Sequence, residues 1–407
     1  MTLVFNAFSF PNSMSIKNRL VKAAMEENMS DENLLPSDEL IHLYSQWAKG
    51  GVGLILTGNV MVDKAAMTGP GGVVLDKHTD LAKFKSWANA AKQNQTKVWM
   101  QISHPGRQVY NKMQGKVYSP SDVALDMGKL SDLFGQPTPM TEEQIEDVIS
   151  RFADTAKQAE LAGFDGVEVH AAHGYLIAQF LSPLVNKRED QWGGTIENRA
   201  RLLIEVIKAV QSKVSDSFAV SVKLNSADFQ RGGFDENDAL YVVQQLEKLN
   251  IDMVELSGGS YEAPAMQGVT ADGRTLAREA YFLSFAQDIA KHTALPIMTT
   301  GGIYKFSTAK DVLAQGVDLV GIATGLALQP DLPNRWQLGK DIEIDMPTIS
   351  WKNKTLRGLA IMALVKRNLR RLGAGKKATA KLSPVLSLIL DQIRTAKLTK
   401  RYQKLMS

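Results

Sequence analysis

The sequence contains no cysteine. That removes disulfides, thiolate nucleophiles, cysteine-held zinc and iron–sulfur clusters at once. Long apolar runs are missing too. None approaches the roughly 18 residues a membrane span requires, and the N-terminal MTLVFNAFSFPNS has no basic start followed by an apolar core and a cleavage site. The expectation is a cytoplasmic protein with no stable membrane insertion. Histidine is scarce, at six residues, and no H-E-x-x-H occurs, so no metal site is expected. Acidic charge is scarce in one part only. From Lys340 to Ser407 there are 16 Lys and Arg against 4 Asp and Glu, a balance of +12, which leaves −8 of the formal +4 for residues 1–339. Such a tail suits an acidic partner, a membrane surface or a nucleotide phosphate, a solvated helix face being the plainer reading; nucleic acid is not the partner it suggests.

What is present is alternation. Short runs rich in Val, Ile and Leu recur at 19–25, 51–59, 97–103, 163–171, 218–225, 251–259, 296–302 and 317–324, separated by segments of helical periodicity. One such segment, TEEQIEDVISRFADTAKQAELAG, opens on Thr141 as a cap with Glu at the capping-box positions. Eight near-continuous apolar strands separated by helices predict an α/β fold, a closed (β/α)8 TIM barrel. An open doubly wound sheet is the alternative, weakened by the lack of G-x-G-x-x-G after the first strand. The division expected is a barrel over 1–340 and a basic C-terminal helical extension over 341–407. Residues 104–140, with four of the 14 prolines, read as a long loop or lid over the barrel top.

Chemistry in such barrels sits where strands end. The strand ends here carry Ala24, Met25 and Glu26; Gly58 and Asn59; Gln101, His104 and Arg107; His170, His173 and Tyr175; Lys223 and Asn225; Gly301 and Gly302; Thr324 and Gly325. In HAAHGYLIAQFLSP two histidines three apart and a tyrosine follow an apolar run directly. Histidines at that spacing can bind a metal or serve structure alone, but no third ligand is identifiable in the motif. The glycines after the last two strands suit a phosphate cradle of backbone N–H groups, or simply loops needing positive φ.

HAAHGYLIAQFLSPLVNKREDQWGGTIENRARLL, together with KNRLVKAAM, QISHPGRQ, TTGGI and QPDLPN, resembles the Old Yellow Enzyme family of FMN-dependent ene-reductases, and within it the NADH:flavin oxidoreductase branch. The resemblance covers roughly residues 5–340, with five motifs in order. It implies FMN at the barrel top, NADH or NADPH as hydride donor, and a small-molecule acceptor, an activated alkene, reduced in a ping-pong cycle. Met25 and Gly58 fall at flavin-lining positions, and Gln101 at the glutamine facing the pyrimidine edge. His170 and His173 match the pair gripping the acceptor's carbonyl oxygen, and Tyr175 the proton donor. Gly301, Gly302 and Gly325 fall in phosphate-binding turns. A homo-oligomer is compatible with the sequence. An NADH oxidase or nitroreductase would need the same flavin, and a non-catalytic barrel scaffold stands outside catalysis.

Three positions depart from the family pattern. Glu26 stands where relatives carry threonine or cysteine, and is expected either to set the flavin's redox poise or to point outward. Lys223 replaces an arginine, keeping the charge but losing the planar fork; it also admits a Schiff-base aldolase with Lys223 as nucleophile. Ala323 and Thr324 stand where glycine–arginine is usual, which takes a charge from the phosphate site. Arg188, Asp190 and Arg199 are expected to hold backbone, Trp192 to pack, and Glu168 to be a buried hydrogen-bonding residue. Tyr261 and Met266 are expected to line the acceptor pocket, shaped by the loops after strands 3 and 6. Without a cysteine cluster or further flavin domain, electrons are expected directly from the nicotinamide.

Overall fold

The computed structural model describes residues 3–267, 279–340 and 344–407. The eight expected runs become eight parallel strands: β1 (Leu20–Lys22), β2 (Leu54–Leu56), β3 (Lys97–Ser103), β4 (Gly166–Ala171), β5 (Ala219–Asn225), β6 (Met253–Ser257), β7 (Ile297–Thr299) and β8 (Leu319–Ile322). Each pairs with the next, β8 returns to β1, and the ring is closed. The (β/α)8 barrel is therefore observed. Several strands are shorter than the apolar runs: β1 stops at Lys22, and residues 23–29 become the turn that carries Met25 and Glu26.

Twelve helices follow in chain order among the described residues. The outer layer contains α1 (Asp38–Lys49), α2 (Ala82–Ala91), α3 (Glu142–Leu161), the short α4 (Leu176–Leu181), α5 (Ile196–Lys213), α6 (Glu236–Lys248), α7 (Leu283–Ala290), α8 (Phe306–Ala314), α9 (Thr324–Leu328) and α10 (Leu332–Gln337). Two long helices come last, α11 (Lys354–Gly373) and α12 (Pro384–Met406). The cap on α3 is Thr141, but the box is closed by Gln144, not by a glutamate; Glu142 and Glu143 fill the first turn, where carboxylates oppose the helix dipole favourably.

The barrel interior is apolar at its lower end and polar at its upper end. Val21, Leu54, Leu56, Trp99, Ala219, Met253, Met298 and Leu319 form a separate buried cluster, closed from below by Ile16, in the antiparallel pair Phe8–Ser9 and Ser15–Ile16, and by Phe10, which follows Ser9. Two residues further along the strands the inward positions turn polar: Gln101, Glu168, Ser221 and Glu255 are all buried. Strand alternation thus places charge just beneath the rim where the chain reverses into loops.

The connection over 104–140 is a loop region with four short elements, two of them 3-10 turns and two of them two-residue strands. Its strand Tyr118–Ser119 pairs with Thr138–Pro139. Arg107 ties it inward, donating to the carbonyls of Val123 and Ala124 and to Glu262 at 2.7 Å. Arg188 donates to the carbonyls of Pro120 and Met140, and Arg199 to that of Leu181 and to Asp238. Both hold backbone. Trp192 is buried.

Candidate active site

The HAAHGY segment leaves β4 at Ala171 and reverses through two consecutive left-handed residues, His173 at φ 59° and Gly174 at φ 72°. A Cβ at Gly174 would lie 2.9 Å from Gln108 and Ser260, so glycine is required there. The reversal brings three rings together. His170 lies edge-on to His173 and to Tyr175, with centroids 5.0 and 4.8 Å apart. His170 Nδ1 accepts from the Ala172 N–H at 3.2 Å, which places the ring proton on Nε2 as a donor. His173 is fixed by Asn225 on its backbone N–H and by Ser257 Oγ, 2.7 Å from Nε2. Strand ends β4, β5 and β6 therefore hold one histidine between them.

Burial pushes both imidazoles well below their ordinary range, and neighbouring Lys223 adds to it. His104, also buried, is pushed down to about 4. The sign follows from linkage. As pH falls below 6.5 the unfolded chain takes up protons before the folded one, so stability present above 6.5 is lost on the way down to the folded values. The urea midpoint should fall between pH 7 and pH 5. Replacing His104 by Asn should flatten that dependence by up to about 1.4 kcal/mol per pH unit; a slope identical to wild type would show that His104 titrates normally.

Tyr175 is buried, and burial first, then the Glu26 carboxylate, raises its pKa far above that of a free phenol. Its hydroxyl is 3.3 Å from that of Tyr261, whose pKa is also raised, by burial first, then by Tyr175 and Glu26. Phe134 and Tyr110 continue the aromatic wall outward, at centroid distances of 5.9 Å from Tyr261 to Phe134 and 5.1 Å from Phe134 to Tyr110. Tyr110 is partly exposed and shifted to about 12, by desolvation and then by Glu26. Glu26 does not point outward. It accepts a hydrogen bond from Thr68 Oγ1 and its charge reaches all three tyrosines. Met266 belongs to the 3-10 turn Ala265–Gln267; the rest of that loop, residues 268–278, lies outside the described residues.

Beneath the rim lies a buried charge cluster. Gln101 donates to Glu168 at 2.6 Å, Lys223 pairs with Glu255 at 2.7 Å, and burial followed by the charge of Glu255 drives the Glu168 pKa well up. An ammonium held by a carboxylate at that distance is a poor nucleophile, which counts against an aldolase. Glu255 was not singled out by sequence reasoning, although a glutamate in the apolar run MVELS was a visible signal. Lys22, Glu27 and Tyr44 were missed as well. Lys22 faces α1, bonding Glu27 at 3.1 Å and the Leu56 carbonyl at 3.0 Å beneath Trp47, and Tyr44 links Glu27 to the Gly58 N–H. A Cβ at Gly58 would fall 2.0 Å from Glu27 and 2.2 Å from the Met25 carbonyl. Ala24 and Met25 are half-buried beside this network.

Unused donors decide whether the rim fits a flavin mononucleotide. Among the described residues, the N–H groups of Gly301, Gly302, Thr324 and Gly325 meet no acceptor. Gly301 and Gly302 hold φ 112° and 71°, and a Cβ on Gly302 would meet the Tyr281 ring at 2.6 Å. Backbone donors, three of the four on glycines, suit a phosphate. Nearby Lys305 pairs with Glu279. Among the described residues, the buried amide oxygens of Asn28, Asn59 and Gln108 meet no partner. The residues present fit the group.

Residues 4–343 match the model of the NADH:flavin oxidoreductase / NADH oxidase family. The chain belongs to that family. It is 38% identical over 331 residues to the NADH-dependent flavin oxidoreductase nadA of Aspergillus parasiticus, covering 78% of this chain and 74% of that one. Similarity to iliE of Neonectria sp., of the same description, is 37% over 345 residues, covering 79% of this chain but only 45% of the relative. Among solved structures a 2-naphthoyl-CoA reductase complex superposes with a TM-score of 0.76 at 26% identity, over 83% of this chain and 52% of that chain. Family membership bears out the expectation of an enzyme using FMN, with NADH the supported one of the two expected donors, NADH or NADPH. No group of three or more His, Asp or Glu that could hold a metal occurs among the described residues, and no helix there is long and apolar enough to cross a membrane.

Proposed function

We propose that this flavin oxidoreductase reduces the activated C=C bond of an α,β-unsaturated carbonyl or similar acceptor. The observation that carries the proposal is the meeting of two neutral imidazoles, His170 and His173, with a buried phenol, Tyr175, at one strand end. Bound FMN, recharged by NADH or NADPH, supplies the hydride. Ala24, Met25, Glu26, Gly58, Gln101, His170 and Lys223 would face its ring system, and Gly301, Gly302, Thr324 and Gly325 its phosphate. The barrel is assigned to residues 1–340 and the extension to 341–407.

The remaining roles belong to this chain's own side chains. His170 Nε2–H and a ring N–H of His173 would bind the acceptor oxygen and stabilise the enolate as charge develops, each donor worth about 2.7–4 kcal/mol in sites of this kind. Tyr175 would deliver the proton to the α-carbon, and Tyr261, the next hydroxyl at 3.3 Å, would return one to it. The aromatic wall excludes water from the developing charge. Glu26, inside this wall, should lower the flavin's midpoint potential, so Glu26→Thr is expected to raise it by more than about 30 mV, roughly 1.4 kcal/mol for a two-electron couple. A smaller shift would remove Glu26 from that role.

The direct test is a visible spectrum of the purified protein, followed by anaerobic NADH and then 2-cyclohexenone. Flavin bands bleached by NADH and restored by the enone are expected. Bands restored by oxygen or a nitro compound but not by enones would make it an NADH oxidase or nitroreductase. A protein colourless even after incubation with FMN would point to a scaffold.

A further inference from the structure

The exposed face of α12 has an unusual order. Val385, Leu386, Ile389, Leu390 and Ile393 are exposed by 41–61%. Their spacing of one, three and four residues puts them on one side of the helix, opposite the buried Ser387, Leu398 and Tyr402. Continuing along that same side, the next exposed residues are Ala396 and then Lys397, Lys400 and Lys404. The face is thus aliphatic for its first half and cationic for its second. The helix's acidic residue, Asp391, lies off this face and is paired with Arg370. Exposed apolar residues standing singly need no explanation, but a contiguous stripe of five on one helix does.

We propose that this face of α12 is a docking surface for an anionic lipid bilayer, with the aliphatic half entering the headgroup region and the lysines meeting lipid phosphates. Charge selects this occupant. A second copy of the chain would bring together two extensions that each carry +12 from Lys340 onward. A bilayer accepts both halves without a shaped pocket, and the two signals together give reversible attachment where either alone is marginal. The −8 on residues 1–339 opposes contact by the rest of the molecule, so the attachment is confined to the extension and oriented by it. The association is peripheral, in keeping with the lack of any helix, among the described residues, able to cross a membrane.

The test is co-sedimentation of the full chain with phosphatidylcholine vesicles and with vesicles containing phosphatidylglycerol. Binding to the anionic vesicles should be at least about ten-fold tighter and should weaken with salt. Combined Lys397→Ala, Lys400→Ala and Lys404→Ala should weaken it about 100-fold, since each surface lysine contributes about five-fold. Ile389→Ser with Ile393→Ser should weaken binding to both vesicle types, and NADH oxidation in free solution should be unchanged in both variants, showing that they fold. Equal binding to neutral and anionic vesicles overturns the proposal, as does binding to neither. A dimer in solution that Ile389→Ser dissolves would overturn it too, by showing that a second copy covers the face.

Discussion

Tyr175→Phe is expected to slow transfer to an enone acceptor by about 10²–10⁴-fold while reduction of the enzyme by NADH proceeds at the wild-type rate. The substitution is nearly isosteric, so the edge-on contact with His170 at 4.8 Å survives and only the hydroxyl is lost. What disappears is the proton. Burial and the Glu26 charge keep that phenol protonated throughout the assayable range, so the wild-type rate should show no limb from Tyr175 below pH 10. Stopped-flow recovery of the flavin absorbance separates the two half-reactions. If the enone step in Tyr175→Phe runs as fast as in wild type, Tyr175 is not the donor. Tyr261→Phe should slow steady turnover more than a single turnover, because it removes the hydroxyl placed to return the proton.

Removing the carboxylate of Glu27 should cost about 3–5 kcal/mol of stability. Lys22 is fully buried and Glu27 nearly so, at 3.1 Å, and Glu27→Ala would leave the ammonium under Trp47 with only the Leu56 carbonyl to bond. Burial already depresses the Lys22 pKa, and Glu27 is the largest influence opposing that. The expected observation is a lower urea midpoint, with Lys22→Met combined with Glu27→Leu recovering most of it. A midpoint equal to wild type in Glu27→Ala would mean that water reaches Lys22. The same variant should loosen Gly58, whose N–H is held through Tyr44.

The barrel was legible because its signal is repeated: eight apolar runs at regular intervals outweigh uncertainty in any one of them. His170, His173 and Tyr175 were legible because they sit within six residues of one strand end. Glu26 was visible as a departure but not its direction, which depends on Thr68, 42 residues away. Lys22 was hidden for a related reason: strand alternation turns it toward α1, and nothing local in RLVKAAM reveals a partner at Glu27 and a carbonyl at Leu56. Lys223 was read as a cation for the flavin, and its engagement with Glu255 depends on the register of β5 against β6, where the two residues are paired directly. Register across a barrel is set by packing of the whole ring, not by either strand alone.

The last helix also has a bearing on the order in which the molecule assembles. Arg394 and Arg401 donate to the carbonyls of Asn28 and Ser30, Tyr402 to that of Lys64, and Gln403 to that of Lys112, across separations of 366, 371, 338 and 291 residues. β8 ends at Ile322, so every barrel strand has emerged before any of these four donors exists. During synthesis at about 5–20 residues per second, the remaining chain takes several seconds to appear. Through that interval the loops following β1, β2 and β3 lack their clasp, and the mouth of the barrel gains these hydrogen bonds last.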